Sequence, residues 1–207
     1  ETEADLDGIV TLAKNVLNIG REILPKDGKK TTVTVSVSSF VPKTCTPFQW
    51  EAFNRQEVLL EKQAYLRKHL RHPGLKFQAH DVQTSYLEAV FSRGDRRLGQ
   101  VLAKAVDLGC QFDGWTEHFK YDAWMQAFAE LGIDSEFYAY RERKAEEVFP
   151  WEHLDSGVSR RFLWYERQKA YQGLTTDDCR FTSCTGCRVC QELGVENRLQ
   201  GGESSGR

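Results

Sequence analysis

Residues 32–38 have the sequence Thr-Val-Thr-Val-Ser-Val-Ser, and this stretch decides the fold class. Valine alternates with small hydroxyl residues, a period of two that is typical of a strand with two different faces. Before it, apolar residues recur at helical spacing and predict a helix over residues 4–24. Pro25 and a turn at residues 26–28 are expected to end that helix. A helix leading into such a strand indicates an α/β fold.

The remainder of the chain is predicted to be mainly helical. Alternation at Leu75, Phe77 and Ala79 predicts one short strand, and Ser85 with Glu88 has the pattern of a capping box. Helices are predicted over residues 50–72, 86–92, 96–108, 159–172 and around Trp124–Leu131.

The composition excludes several classes of protein. Hydrophobic residues make up 40% of the 207 residues, enough for a buried core. The net charge of −2 gives no electrostatic reason to expect nucleic acid or an anionic membrane as partner. No apolar run approaches the ~20 residues of a membrane-spanning helix, so we expect no membrane contact. A tight cysteine cluster in a chain that shows no signal peptide predicts a metal-binding protein of the reducing cytoplasm. The chain opens on a capping signature at residues 2–5 without an initiator methionine, so we expect it to continue upstream.

Four of the six cysteines lie within twelve residues, at Cys179, Cys184, Cys187 and Cys190. Four thiolates can hold a tetrahedral Zn²⁺ or a [4Fe–4S] cluster. The Cys-x2-Cys-x2-Cys run is closer to ferredoxin spacing than to a zinc ribbon, whose two cysteine pairs lie about 15–20 residues apart. We therefore predict a metal site at these cysteines. The spacing leaves open iron–sulfur or zinc, and a structural or redox role.

The predicted strand has one polar face, formed by Thr34, Ser36 and Ser38. Side chains this small would leave room for a ligand at the C-terminal end of the strand, where barrel enzymes place their sites. The alternative is a half-exposed strand whose hydroxyl groups face water.

Two charged turns are further candidates for contact with a substrate. Residues 93–97 place Arg96 and Arg97 in a first helical turn, which favours an anionic partner for them. The alternative is solvated arginines, or an ion pair between Arg93 and Asp95. Residues 113–118 combine two acids, Asp113 and Glu117, with His118, and could do acid–base work or simply form a turn.

Several stretches together resemble the C-terminal part of radical S-adenosylmethionine (SAM) proteins that carry an upstream cobalamin (B12)-binding domain. The resemblance extends to about residue 193, and its motifs occur in the family's order. They are residues 1–6 with 8–10, 35–43 with 46–50, 87–97, 112–119, 150–151 with 155–158, and 175–180 with the three later cysteines.

The resemblance implies that residues 1–49 are the C-terminal end of a partial (β/α)6 radical SAM barrel, with residues 32–38 as its sixth and last strand. It places Ser38, Phe40 and Val41 at the bound SAM. The family's catalytic [4Fe–4S] cluster, which reduces SAM to a 5′-deoxyadenosyl radical, sits on a Cys-x3-Cys-x2-Cys motif. This chain has no such motif. The four cysteines would therefore hold an auxiliary group.

The expected organisation has four parts: barrel end (1–49), helical extension (50–149), four-cysteine segment (150–195) and disordered tail (196–207). The expected function is that of a C-terminal fragment of a radical SAM, B12-binding-type iron–sulfur enzyme with an unknown substrate. Alone, the fragment would be inert, and its partners would be the upstream radical SAM and B12-binding domains. The alternative is a non-catalytic zinc-binding module that interacts with RNA or a partner protein.

Overall fold

The structure, a computed structural model, describes residues 1–23 and 30–197. The predicted turn at residues 26–28 and most of the predicted disordered tail lie outside these residues. In chain order the elements are α1 (Glu3–Ile23), β1 (Val33–Val37), α2 (Gln56–His69), β2 (Leu75–Ala79), α3 (Val82–Ser92), α4 (Leu98–Asp107), α5 (Tyr121–Glu130), α6 (Ser135–Ala139), α7 (Arg160–Tyr171) and α8 (Val189–Glu192). No helix among the described residues is long and apolar enough to cross a membrane.

The chain divides into two compact units. The first comprises residues 1–41 and 53–88, so it combines the predicted barrel end with the start of the predicted helical extension. The second comprises residues 42–52 and 89–207, and α3 runs from the first into the second.

The first unit is built on one apolar face of α1. The apolar residues whose spacing predicted the helix form this face, which packs against side chains of α2 and β2. The valines of β1 pack on the same core. The buried residues are Leu6, Val10, Ala13, Leu17, Leu66, Leu70 and Leu75. The predicted cap is also present, because Thr2 donates hydrogen bonds from its backbone nitrogen and its hydroxyl to Asp5 Oδ2.

Strands β1 and β2 form a parallel pair in which Val33 lies opposite Leu75 and Val37 opposite Ala79. Parallel strands need a crossover connection, and here α2 lies in it. The α/β prediction is confirmed at this level. The prediction that residues 32–38 form the last strand is wrong, because β2 follows β1 in the same sheet.

The second unit has an aromatic core. Trp50, Phe149, Trp151 and Leu163 are buried together. The rings of Trp50 and Phe149 have centroids 5.5 Å apart, and those of Phe149 and Trp151 are 4.9 Å apart. Such tilted pairs add about 0.5–1.5 kcal/mol each beyond the burial of their area.

Two predicted helix starts are wrong for local reasons. Helix α2 begins at Gln56 rather than near residue 50, because Trp50 is fully buried in a turn among aromatic side chains. Helix α3 begins at Val82, since Asp81 is the capping residue: its Oδ1 accepts the backbone N–H of Thr84 at 2.8 Å. Ser85 therefore lies inside the helix and does not open a capping box.

A buried arginine joins distant parts of the second unit. Arg93 is only 1% exposed, and its guanidinium donates to the carbonyl oxygens of Tyr138 (2.7 Å), Ala139 (2.5 Å) and Arg141 (2.6 Å). Burial lowers the pKa of Arg93 to about 10, so the group remains charged at neutral pH. The charge is accommodated by three backbone dipoles rather than by a carboxylate.

Replacing Arg93 by methionine should therefore destabilise the second unit. The Arg93→Met substitution keeps the length of the side chain but leaves three carbonyl groups without their donor, and each orphaned group costs about 1–3 kcal/mol. We expect a loss of about 3 kcal/mol or more in the free energy of unfolding, measured by urea denaturation. Arg96→Met, at an exposed arginine of the same turn, should stay within about 0.5 kcal/mol of the parent. Equal stability of the two variants would contradict this account.

Candidate metal centre

Three of the four predicted metal ligands, Cys179, Cys184 and Cys187, lie between α7 and the short helix α8, and Cys190 lies within α8. The chain here is held by local turns: Asp178 Oδ1 accepts the backbone N–H of Arg180 at 2.9 Å, and Gly186 and Arg188 both have φ of +77°. Glycine adopts this left-handed conformation without steric cost, whereas arginine does so at a cost in backbone strain. The strained turn at Arg188 lies between Cys187 and Cys190.

All four cysteines carry free thiols, with Cys184 exposed and the other three half-buried. Two of the sulfurs already accept hydrogen bonds. Asn197 Nδ2 donates to Cys179 Sγ at 3.3 Å and to the Cys179 carbonyl oxygen at 2.8 Å. The backbone N–H of Gly186 donates to Cys184 Sγ at 3.5 Å. Hydrogen bonds of this kind orient a sulfur that ligates a metal.

Backbone hydrogen bonds attach the cysteine segment to its neighbours in the second unit. The N–H of Ser159 donates to the Cys187 carbonyl oxygen at 3.0 Å, and the same serine caps α7 by accepting the N–H of Phe162 at 3.2 Å. The N–H of Val195 donates to the Cys190 carbonyl oxygen at 3.1 Å. One end of α7 is therefore tied to the middle of the segment.

The residue types fit a thiol-seeking metal, because four thiols are close in sequence and two sulfurs have N–H donors. The arrangement is open, however. Among residues 1–23 and 30–197, no three His, Cys, Asp or Glu side chains are grouped so that they could hold a metal ion. A site of this kind would have to close as metal binds, which is common where binding and local folding are coupled.

The residues predicted to lie near SAM follow β1 in the first unit. Ser38 is exposed, Phe40 is 49% exposed and Val41 is buried. The strand has the predicted two faces, since its valines are half-buried and Thr34 and Ser36 are exposed. Contact of Ser38, Phe40 and Val41 with SAM stays a prediction.

The turn at residues 93–97 differs from both sequence-based interpretations of Arg93. Arg93 is neither solvated nor paired with Asp95, because it is buried against backbone carbonyls. Asp95 pairs instead with Arg97 at 2.6 Å and accepts a hydrogen bond from Tyr138 Oη at 3.1 Å. The bonds from Arg97 hold the pKa of Asp95 down to about 2. Arg96 remains exposed and is the arginine of this turn best placed to meet an anionic partner.

The turn at residues 113–118 is an exposed aromatic loop. Phe112 has a left-handed φ of +60° and is 67% exposed, and its ring centroid lies 6.1 Å from those of Trp115 and His118. Glu117 and His118 are exposed. A bulky residue in this conformation stores strain, of about 1–3 kcal/mol. The acid–base role of this loop stays a prediction.

Sequence reasoning did not identify Asn197, the donor to Cys179. The two residues are 18 positions apart, and an asparagine after a cysteine cluster has no recognisable pattern. Only the fold of the segment brings this amide to the sulfur.

Comparisons of the chain with protein-family models, with curated proteins and with solved structures find no match. The resemblance found in the sequence therefore stays a prediction.

Proposed function

We propose that residues 179–190 bind one thiolate-ligated metal group, either a [4Fe–4S] cluster or Zn²⁺. The observation that carries the proposal is the presence of four free thiols within twelve residues, with N–H donors already placed on Cys179 and Cys184. Four sulfur ligands complete the coordination of either group.

The charge of the bound thiolates would be offset mainly by N–H groups. The two arginines of the segment already have partners: Arg180 is paired with Asp178, and Arg188 with Glu192. The amide donors of Asn197 and Gly186 have no such competing charge. Hydrogen bonds to ligating sulfur of this kind orient the ligand and tune the metal.

Metal binding would also stabilise this part of the chain. The described residues from Gly173 to Gly194 contain no fully buried apolar side chain, so hydrophobic burial contributes little here. Bound zinc would supply a covalent-like crosslink, and a bound cluster would add electron transfer. Ser159 and Asn197 would hold the two sides of the closed segment.

The wider proposal is that the chain is the C-terminal part of a radical SAM, B12-binding-type enzyme that modifies an unknown substrate. It is supported by the order of the family-like motifs and is compatible with the parallel β1–α2–β2 unit. In such an enzyme the four-cysteine group would be auxiliary. A non-catalytic zinc module that binds RNA or a partner protein is the alternative.

The sequence of the intact gene tests the wider proposal. A radical SAM enzyme requires a Cys-x3-Cys-x2-Cys motif, and we expect that motif upstream of Glu1. An upstream coding sequence without this motif would refute the radical SAM assignment and leave the metal site standing.

Anaerobic reconstitution tests the metal site. With iron and sulfide supplied, we expect broad absorbance near ~400 nm and about four irons per chain. With zinc alone, we expect about one tightly held ion per chain. Changing Cys184 and Cys187 together to serine should abolish both, because only two thiolates remain.

The control is Cys110→Ala, at a buried cysteine outside the segment, and it should leave metal content unchanged. Binding of zinc but not of a cluster would favour the non-catalytic alternative. A chain that holds neither metal, or a double variant that holds either one as well as the parent, would refute the proposal.

Asn197→Asp tests the hydrogen bond to Cys179. The substitution keeps the shape of the side chain, removes the N–H donor and places a negative charge beside the sulfur. We expect metal affinity to fall about 10- to 100-fold, measured by competition with a chromophoric chelator. Asn54→Asp, at an exposed asparagine of the first unit, should leave affinity within about twofold. Unchanged affinity in Asn197→Asp would show that the bond has no role in metal binding.

A further inference from the structure

A cavity of about 360 Å³ lies in the second unit, next to the cysteine segment. Its volume falls in the range of about 300–1,000 Å³ that is typical of small-molecule sites. One wall contains the aromatic rings of Phe149 and Trp151, and another contains Arg188 and Glu192 of the cysteine segment. No feature of the sequence predicted this cavity, because its walls come from three separate stretches of chain.

Gln49 supplies a buried hydrogen-bond donor to this cavity. It is only 4% exposed and lines the cavity. Its Oε1 accepts two hydrogen bonds, one from Trp151 Nε1 at 2.9 Å and one from the backbone N–H of Cys45 at 3.1 Å. Two donors directed at one atom fix the orientation of the amide.

The other polar atom of the amide, Nε2, is therefore the one left for the cavity. It has no hydrogen-bond partner among the described residues. Nε2 is not among the fully buried polar atoms that lack a partner, so it is accessible from the cavity. A ligand that presents an acceptor to this nitrogen would take the place of water there.

The backbone of Cys45 supports the same arrangement. This residue has φ of +56°, a left-handed conformation that is unfavourable for a non-glycine residue. In that conformation its N–H is directed at Gln49 Oε1. The strained turn thus holds the amide with Nε2 free, and strain maintained around a cavity is frequent at binding sites.

Four of the five charged side chains that line the cavity form two ion pairs. Glu152 pairs with Arg160 at 2.5 Å, and Arg188 pairs with Glu192. Asp155 Oδ1 accepts the N–H of Gly157 at 2.7 Å. Both lining arginines already have carboxylate partners, and the Asp155 carboxylate would repel an anion, so the cavity favours an uncharged ligand over an anionic one.

We propose that this cavity is a binding site for an uncharged planar ring that carries a hydrogen-bond acceptor on its edge. The ring would lie against the side chains of Trp151 and Phe149, and the acceptor would receive a hydrogen bond from Gln49 Nε2. The proposal does not rest on metal binding, because Gln49, Phe149 and Trp151 all lie outside residues 179–190.

The probe pair of quinoline and naphthalene tests the proposal. The two molecules have nearly the same shape, but only quinoline carries an acceptor, its ring nitrogen. Each is titrated into the full chain and followed by two-dimensional ¹H–¹⁵N NMR, using the side-chain signals of Trp151 and Gln49. We expect quinoline to shift both signals and to bind at least fivefold more tightly than naphthalene, the effect of about one net hydrogen bond.

Two variants locate the site. Gln49→Glu keeps Oε1 for its two donors but replaces Nε2 by an oxygen, and it should weaken quinoline binding at least tenfold while changing naphthalene binding less. Ser156→Trp adds a bulky ring at an exposed residue of the cavity wall and should weaken both probes. Gln172→Glu, at an exposed glutamine on the end of α7, is the matched control and should change neither.

Circular dichroism establishes that each variant remains folded, and the Ser156→Trp result is informative even if Gln49→Glu loses structure. Equal affinity for the two probes would overturn the proposal, because it would mean that water satisfies Nε2 and the ring is held only by apolar contact. Quinoline binding that survives Ser156→Trp unchanged would also overturn it.

Discussion

The second unit depends on the burial of two arginines, Arg93 and Arg143. Charged groups removed from water must be compensated, and here backbone carbonyls compensate them rather than carboxylates alone. Arg93 donates to three carbonyl oxygens between Tyr138 and Arg141, and its own carbonyl oxygen accepts from Arg143 Nη2 at 2.5 Å. The planar guanidinium, with five donors, suits this task better than a lysine would. These bonds hold the loop after α6 in place, together with the ion pair between Arg143 Nη1 and Glu147 Oε1 at 3.7 Å.

The same arginines hold the aromatic core beside the cavity. The backbone N–H of Arg143 donates to the Trp50 carbonyl oxygen at 2.8 Å, and its guanidinium lies 4.9 Å from the ring of Trp151. Trp151 in turn donates to Gln49, which orients the amide toward the cavity. Two buried arginines thus help to position the tryptophan that orients the Gln49 amide at the cavity.

The cysteine segment is stabilised by different interactions. Its folding uses local turns and a few backbone hydrogen bonds, with the link between Ser159 and Cys187 as its anchor to α7. Sequence reasoning could identify the four cysteines, since ligand spacing is a property of the chain itself. It could not identify Asn197 as a donor to Cys179, because that contact requires the segment to turn back on itself. It also considered Arg93 only as solvated or as paired with Asp95, since the burial of an arginine has no local sequence pattern.

The sequence by itself determined the α/β character, the two-faced strand β1, the amphipathic face of α1 and the candidate metal ligands. Each of these follows from a short-range period or spacing that the chain carries wherever it folds. The tertiary structure alone decided that β2 pairs in parallel with β1, that α2 begins at Gln56, and that Gln49 faces a cavity. These outcomes depend on contacts between residues far apart in the chain. The free energy of burying a group depends on the partners that surround it, and a local sequence pattern does not include those partners.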